Sequence, residues 1–222
     1  DIQTAVTVLA RRSERQLSLE VDKLFRLDLS NTDLTGVNFQ SGDFSGALFT
    51  NARLEAAFFR QCRLHGSVFH GALLNHIDWF SADLLGARLD MAVLNRPRPF
   101  RGGMNETFNM ATTFEGISMA GADMSAVDYF GEPEEMNKTF GTKDTILSDE
   151  LNDRRQNLKK LQSAVRNAKG QGDQEATEKA EAELSETGFV SWSPYEQSDM
   201  ATGRYYNQLL QRLGIKGFPF HN

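Results

Sequence analysis

Large apolar residues recur every fifth position along much of this chain, a spacing that few folds can accommodate. They stand at Leu29, Leu34, Phe39, Phe44, Phe49, Leu54, Phe59, Leu64, Phe69, Leu74, Trp79, Leu84, Leu89 and Leu94 without a failure. The residue two before each is mostly small or apolar, running from Leu27 and Thr32 through Gly42, Ala47, Ala52, Ala57, Cys62 and Ser67 to Ala92. An α-helix repeats its apolar face at three and four residues and a strand at two, so neither template fits. A square coil does fit: five residues make one side, two of them point inward, and the others turn the corner. Ser30-Asn31, Thr35-Gly36, Ser45-Gly46 and His65-Gly66 supply the residue types that such corners favour. Four sides make a coil of twenty residues, so Leu34, Leu54, Leu74 and Leu94 should stack in one ladder, and Phe39, Phe59 and Trp79 in another.

Thr32-Asp33-Leu34-Thr35-Gly36, Gly42-Asp43-Phe44-Ser45-Gly46 and Ala82-Asp83-Leu84-Leu85-Gly86 each read as a small residue, Asp, Leu or Phe, and then two further residues. In these units the sequence resembles the pentapeptide-repeat family, and the resemblance covers about a third of the chain. It implies a mainly β fold, a right-handed quadrilateral β-solenoid whose coils stack at the strand spacing of roughly 4.8 Å. It also accounts for Asp28, Asp33, Asp43, Asp78 and Asp83 as the acidic second residue of the unit. The opening run from Asp1 to Arg12 resembles the lead-in of a bacterial group of the family in which further N-terminal sequence, often membrane-associated, comes first.

The flanks supply the caps that a solenoid needs at its two ends. Ile2, Ala5, Val6, Leu9 and Ala10 follow helical spacing behind Asp1, which predicts an N-terminal capping helix within residues 1–26. The solenoid is expected over 27–131, interrupted by a protruding loop at about 95–111, where Pro97 and Pro99 remove backbone donors. Phe114 lies twenty residues after Leu94, and Met119, Met124 and Tyr129 keep the period of five, so a partly distorted coil is expected there. Residues 132–222 form a C-terminal α-helical extension. Its stripe of Leu151, Leu158, Leu161, Val165 and Ala168 and a second of Ala176, Ala180 and Leu184 predict a projecting helical hairpin over about 148–187. A terminal helix is expected over about 198–213, ended by Gly214.

The net charge of −6 and a pI near 5.3 argue against direct, nonspecific binding of nucleic acid. No run of about 18 apolar residues exists, so no membrane insertion by this sequence is expected. Cys62 is the sole cysteine, which makes a reducing compartment, the cytoplasm, the expected location, compatible with a membrane tether supplied by sequence upstream of Asp1. At Cys62 a packed thiol is expected rather than a nucleophile. His65, His70 and His76 fall on successive sides and do not converge on a metal. No nucleophile with its base, carboxylate pair, phosphate loop or CxxC motif occurs, so neither enzyme activity nor a cofactor is expected.

Two functions remain: a scaffold or protein–protein interaction module, or an acidic mimic of DNA that binds a type II topoisomerase such as gyrase, as the family resemblance implies. From Leu27 to Leu94, seven acids against four arginines leave a surplus of three negatives, and Arg53, Arg60 and Arg63 interrupt any acidic stripe, which favours the scaffold. The candidate partner site is an outward apolar patch in which Leu48 stacks with Val68 and Leu73 with Val93. Phe189, Trp192, Tyr205, Phe218 and Phe220 are expected to fold back over it.

Overall fold

The computed structural model describes residues 1–94, 115–127, 138–186 and 202–220. Its centre is a solenoid read directly from parallel one-residue bridges. One outward row runs Asp28, Leu48, Val68, Arg88, Ser118 and Phe140, each bridged to the next. A second runs Asp33, Arg53, Leu73, Val93 and Asp123, a third Asn38, Phe58 and Asp78, and a fourth Asp43, Arg63 and Asp83. Leu48 shows how each rung is built: its N–H donates to the Leu27 carbonyl and its carbonyl accepts from the Leu29 N–H, both at 2.8 Å.

Most units turn the corner by a backbone bond from residue i+3 to i, as from Val37 N–H to the Leu34 carbonyl at 3.1 Å, where Gly36 just before the donor has positive φ. The unit's Asp or Asn prepares that turn by accepting from the N–H two residues on. Asp28 accepts from Ser30 at 2.9 Å, Asp33 from Thr35 at 3.1 Å, Asn38 from Gln40 at 2.9 Å and Asp43 from Ser45 at 3.0 Å. The acidic residue is therefore a turn-former. With the turn taking its share of five residues, one residue per side has both backbone groups in the ladder. The expectation of a mainly β chain is corrected accordingly: regular strand among the described residues is confined to β1 (Asp123–Met124) and β2 (Ile146–Leu147), and helix is more abundant.

Inside, the ladder imposes face-to-face aromatic stacking. Phe39, Phe59 and Trp79 stack at centroid distances of 4.5 and 5.0 Å, and Phe49 stacks on Phe69 at 4.8 Å. The two columns meet edge to face, as between Phe59 and Phe69, completing a buried core without large polar groups.

At the N-terminal end, Asp1 caps α1 (Ile2–Ala10) by accepting from Thr4 N–H, and Val6 is buried against the first coil. Gln3 extends its side-chain amide to the coil's edge: Nε2 donates to the Asn38 carbonyl at 2.9 Å, and Oε1 accepts from the Asn38 N–H at 2.8 Å. Arg12 donates to the Asp43 carbonyl and pairs with Glu20 at 3.0 Å. Where one capping helix was expected, a second follows, α2 (Glu14–Asp22), because Ser13 and Gln16 form a capping box that restarts the helix.

Two differences appear towards the other end. Arg88 bridges Ser118 and Val93 bridges Asp123, so one step of the ladder takes thirty residues and Leu94 lies in register with Met124 rather than with Phe114. The expected loop at 95–111, Phe114 and Tyr129 lie outside the described residues. The solenoid also continues beyond 131: Ser118 bridges Phe140 and β1 pairs in parallel with β2. Immediately after it, Ser148 caps α3 (Asp149–Gln171), which joins α4 (Gln174–Glu186) through Gly172 at φ 69°. Leu151 and Leu158 of α3 enter the solenoid core, whereas Val165, Ala168 and Ala180 are buried outside that core cluster. A further helix, α5 (Thr202–Arg212), and the tail to Phe220 return to the solenoid.

Candidate interaction surface

The outward rows interleave acids with bases. Arg53 stands 3.3 Å from Asp33 and 3.5 Å from Glu55, Arg63 3.2 Å from Asp43, and Arg60 3.8 Å from Asp78. Such exposed pairs add little stability each, up to about 1 kcal/mol, but they break the negative field into alternating signs. His65 Nε2 lies 2.6 Å from Asp83, and this bond, then the histidine's charge when protonated, holds the Asp83 carboxyl below the usual range against the opposing effect of burial. Asp28 and Asp33 are lowered chiefly by the hydroxyls of Ser30 and Thr35. Among the described residues no three His, Cys, Asp or Glu gather into a metal-binding group, and no helix is long and apolar enough to cross a membrane.

Cys62 is buried between neighbouring coils, where its Sγ donates to the Gly42 carbonyl at 3.2 Å. Burial, helped by the charge of Asp43, pushes the thiol far above its ordinary range. Native protein should therefore react with a thiol reagent more slowly than the denatured chain by a factor on the order of 100 or more, since thiolate is scarce and attack waits for local opening. Labelling at the denatured rate would refute the inward register.

The four patch residues occupy their expected rows. Leu48 bridges Val68 and Leu73 bridges Val93, and all four are partly exposed. Met91, 56% exposed, stands at the corner between these two rows, and Ile146 extends the second row beyond Asp123. The expected cover arrives at a different corner. Phe218, Pro219 and Phe220 lie over Gly46, Gly66 and Gly86, at the corner preceding the Leu48 row, and leave the Met91 corner on the far side of that row. Tyr205 is partly buried against the core, and Phe189 and Trp192 lie outside the described residues.

The inward anchor of this C-terminal cover is Tyr206, whose hydroxyl stands 2.9 Å from the Gly86 carbonyl and 3.0 Å from that of Gly116. Tyr206 did not emerge from the sequence reading, and Gly46 and Gly66 did so only as corner residues, although Arg26, Gly46, Gly66 and Gly86 are spaced by twenty and so announce a column.

The family model described as pentapeptide repeats matches residues 27–66 and 43–78, with eight copies of the unit. Residues 27–78 of the solenoid are pentapeptide repeats of that family. No curated protein matches the chain. Among solved pentapeptide-repeat structures, it is similar to HetL, involved in heterocyst differentiation regulation in the cyanobacterium Nostoc, at 20% identity and a TM-score of 0.37. That match covers 52% of this chain and 43% of HetL, so the chain spans less than half of HetL's length. It is also similar to QnrB1, a plasmid-mediated fluoroquinolone resistance protein, at 17% identity over 56% of this chain and 75% of that one, with a TM-score of 0.23. A thylakoid-lumen pentapeptide-repeat protein of Arabidopsis thaliana matches at 23% identity over 60% and 75% of the two chains, with a TM-score of 0.18.

Proposed function

We propose that this protein is a non-enzymatic scaffold of the cytoplasm, a right-handed four-sided solenoid that binds another protein through the apolar corner of Leu48, Val68, Leu73 and Val93. The observation that carries this reading is the pair of stacked apolar rungs beside exposed Met91, on a surface whose repeat otherwise favours polar residues. Contiguous apolar surface on a rigid frame suits protein contact. The second reading, an acidic DNA mimic acting on gyrase, rests on the family and on the net charge of −6. The alternation of Asp33 with Arg53, and of Asp43, Arg63 and Asp83, weighs against it, because a DNA mimic needs an uninterrupted negative stripe.

The wild-type chain should leave gyrase supercoiling unaffected through the low micromolar range. A protein captured by it from native cells should be lost to the Leu48→Arg, Leu73→Arg double variant, whose melting should stay within about 0.5 kcal/mol of wild type. Supercoiling inhibition would replace the scaffold by the mimic. Unchanged capture by the double variant would remove the patch from the function.

A further inference from the structure

The corners from Asn31 to Met91 all turn through positive φ, yet among the described residues one column alone is glycine in four successive coils, at Gly46, Gly66, Gly86 and Gly116. Elsewhere Asn31, Ser41, Asn51, Ala56, Gln61, His76, Ser81 and Met91 take φ of 55–61°, so the turn itself does not demand glycine. At Gly46, Gly66, Gly86 and Gly116 a second requirement applies. A β-carbon there would lie 2.9 Å from Pro219 at the first two positions, 2.6 Å from Phe220 at the third and 2.7 Å from Ile215 at the fourth, all closer than carbon atoms approach. The column is a floor cut to the depth of a chain lying on it.

Its head is Arg26, twenty residues before Gly46. The guanidinium donates to the carbonyls of Gly46 at 3.2 Å, Gly66 at 3.3 Å and Pro219 at 2.5 Å, and lies 5.4 Å from the ring centre of Phe218. Further along, the His65 ring is 6.4 Å from that of Phe220. The tail is joined to α5 through Gly214 and Gly217, at φ 74° and 76°, neither with any atom within 4 Å of an added β-carbon. These contacts read a backbone carbonyl, two rings and a proline, presented on a turn that the Phe220 N–H closes onto the Gly217 carbonyl at 2.9 Å, features that any segment forming the same turn with the same composition presents.

We propose that the glycine column is a docking groove for a turn-forming aromatic–proline–aromatic segment of another protein, which the chain's own Phe218-Pro219-Phe220 fills in its absence. The groove is a different corner from the Leu48–Val93 patch, so neither assignment depends on the other. The own tail, seated on the column, is the template for the occupant. Attached in place, it competes at an effective concentration near millimolar, and an outside segment must displace it.

The test uses full-length chains and a fluorescent peptide of the sequence Lys-Gly-Phe-Pro-Phe. A chain carrying Phe218→Ser, Pro219→Ser and Phe220→Ser should bind the peptide at least ~10-fold more tightly than wild type, because the competing tail is gone. Adding Gly66→Ala should abolish binding without harming the fold, since Ala56 already occupies the opposite corner at φ 58°. No binding to the tail-substituted chain, or binding unmoved by Gly66→Ala, overturns the proposal. So does a tail-dependent dimer of the wild-type chain by sedimentation, which would make a second copy the occupant. Should the tail-substituted chain melt early, Phe220→Trp reports the same exchange. Millimolar peptide should then shift the indole emission to the red by displacing the tail, and an unmoved emission is the overturning result.

Discussion

Leu74→Asp is expected to abolish cooperative folding at ambient temperature. Leu74 is fully buried on the ladder of Leu54 and Leu94, and its backbone is held from Leu74 N–H to the Val93 carbonyl at 2.9 Å. A carboxyl in that column meets only side chains that offer it no hydrogen bond. The charge must be suppressed or left unpaired at a cost of several kcal/mol, to which the lost transfer energy of the leucine adds about 2 kcal/mol. The sum approaches the whole stability of a typical domain, about 5–15 kcal/mol. Circular-dichroism melting and dye binding give the measurement, with Leu74→Met as the volume-conserving control, expected within about 1.5 kcal/mol of wild type. A wild-type melting curve for Leu74→Asp would show that the column is not interior.

A chain stopped after residue 201 should lose nearly as much. It lacks the buried side chains of Tyr206, Leu209, Leu210 and Ile215, which together contribute roughly 6–12 kcal/mol before the ordering of α5 is subtracted. It also lacks the hydroxyl that answers the Gly86 and Gly116 carbonyls, and the ring that Phe140 meets edge to face at 5.8 Å. The shortened chain should bind hydrophobic dye and melt early or without a cooperative transition. Unchanged melting with no dye uptake would mean that the helix only decorates the solenoid.

What the sequence revealed follows from where its constraints are local. The large inward position of all fourteen units is visible because each must be apolar whatever its neighbours are. The thirty-residue step between Val93 and Asp123 was hidden for an arithmetical reason: ten added residues are two whole units, so Met119 and Met124 keep their phase although they have moved half a coil. Phe114 seemed to follow Leu94 for the same reason. The coil closed by Phe140 and β2 was missed because its steps are 22 and 23 residues, which no fixed period reports. Gly46 and Gly66 were read as turn-formers, a role that Ala56 and His76 fill equally well, and Gly86 only as the end of a repeat unit. Their true distinction is contact with residues some 130 to 170 positions away, a fact of tertiary structure. The partner patch was legible as a row assignment, because Leu48 and Val68 are bridged by the coil's own register. Its cover was not, since the route of the tail depends on Arg26 and the glycine floor.

Gln3 has a consequence for how such a molecule coexists with its own copies. A ladder that repeats every coil has no intrinsic last rung, and a bare end offers the same donor and acceptor that the next coil would have used. Identical chains could then add head to tail, a contact that does not close on itself and so grows a filament. A primary amide is the smallest side-chain group that carries both a carbonyl and an N–H, and at Asn38 it takes both valences at once. In the language of polymers, α1 delivers a chain terminator to that row: a unit that bonds to the growing end and presents no site for the next.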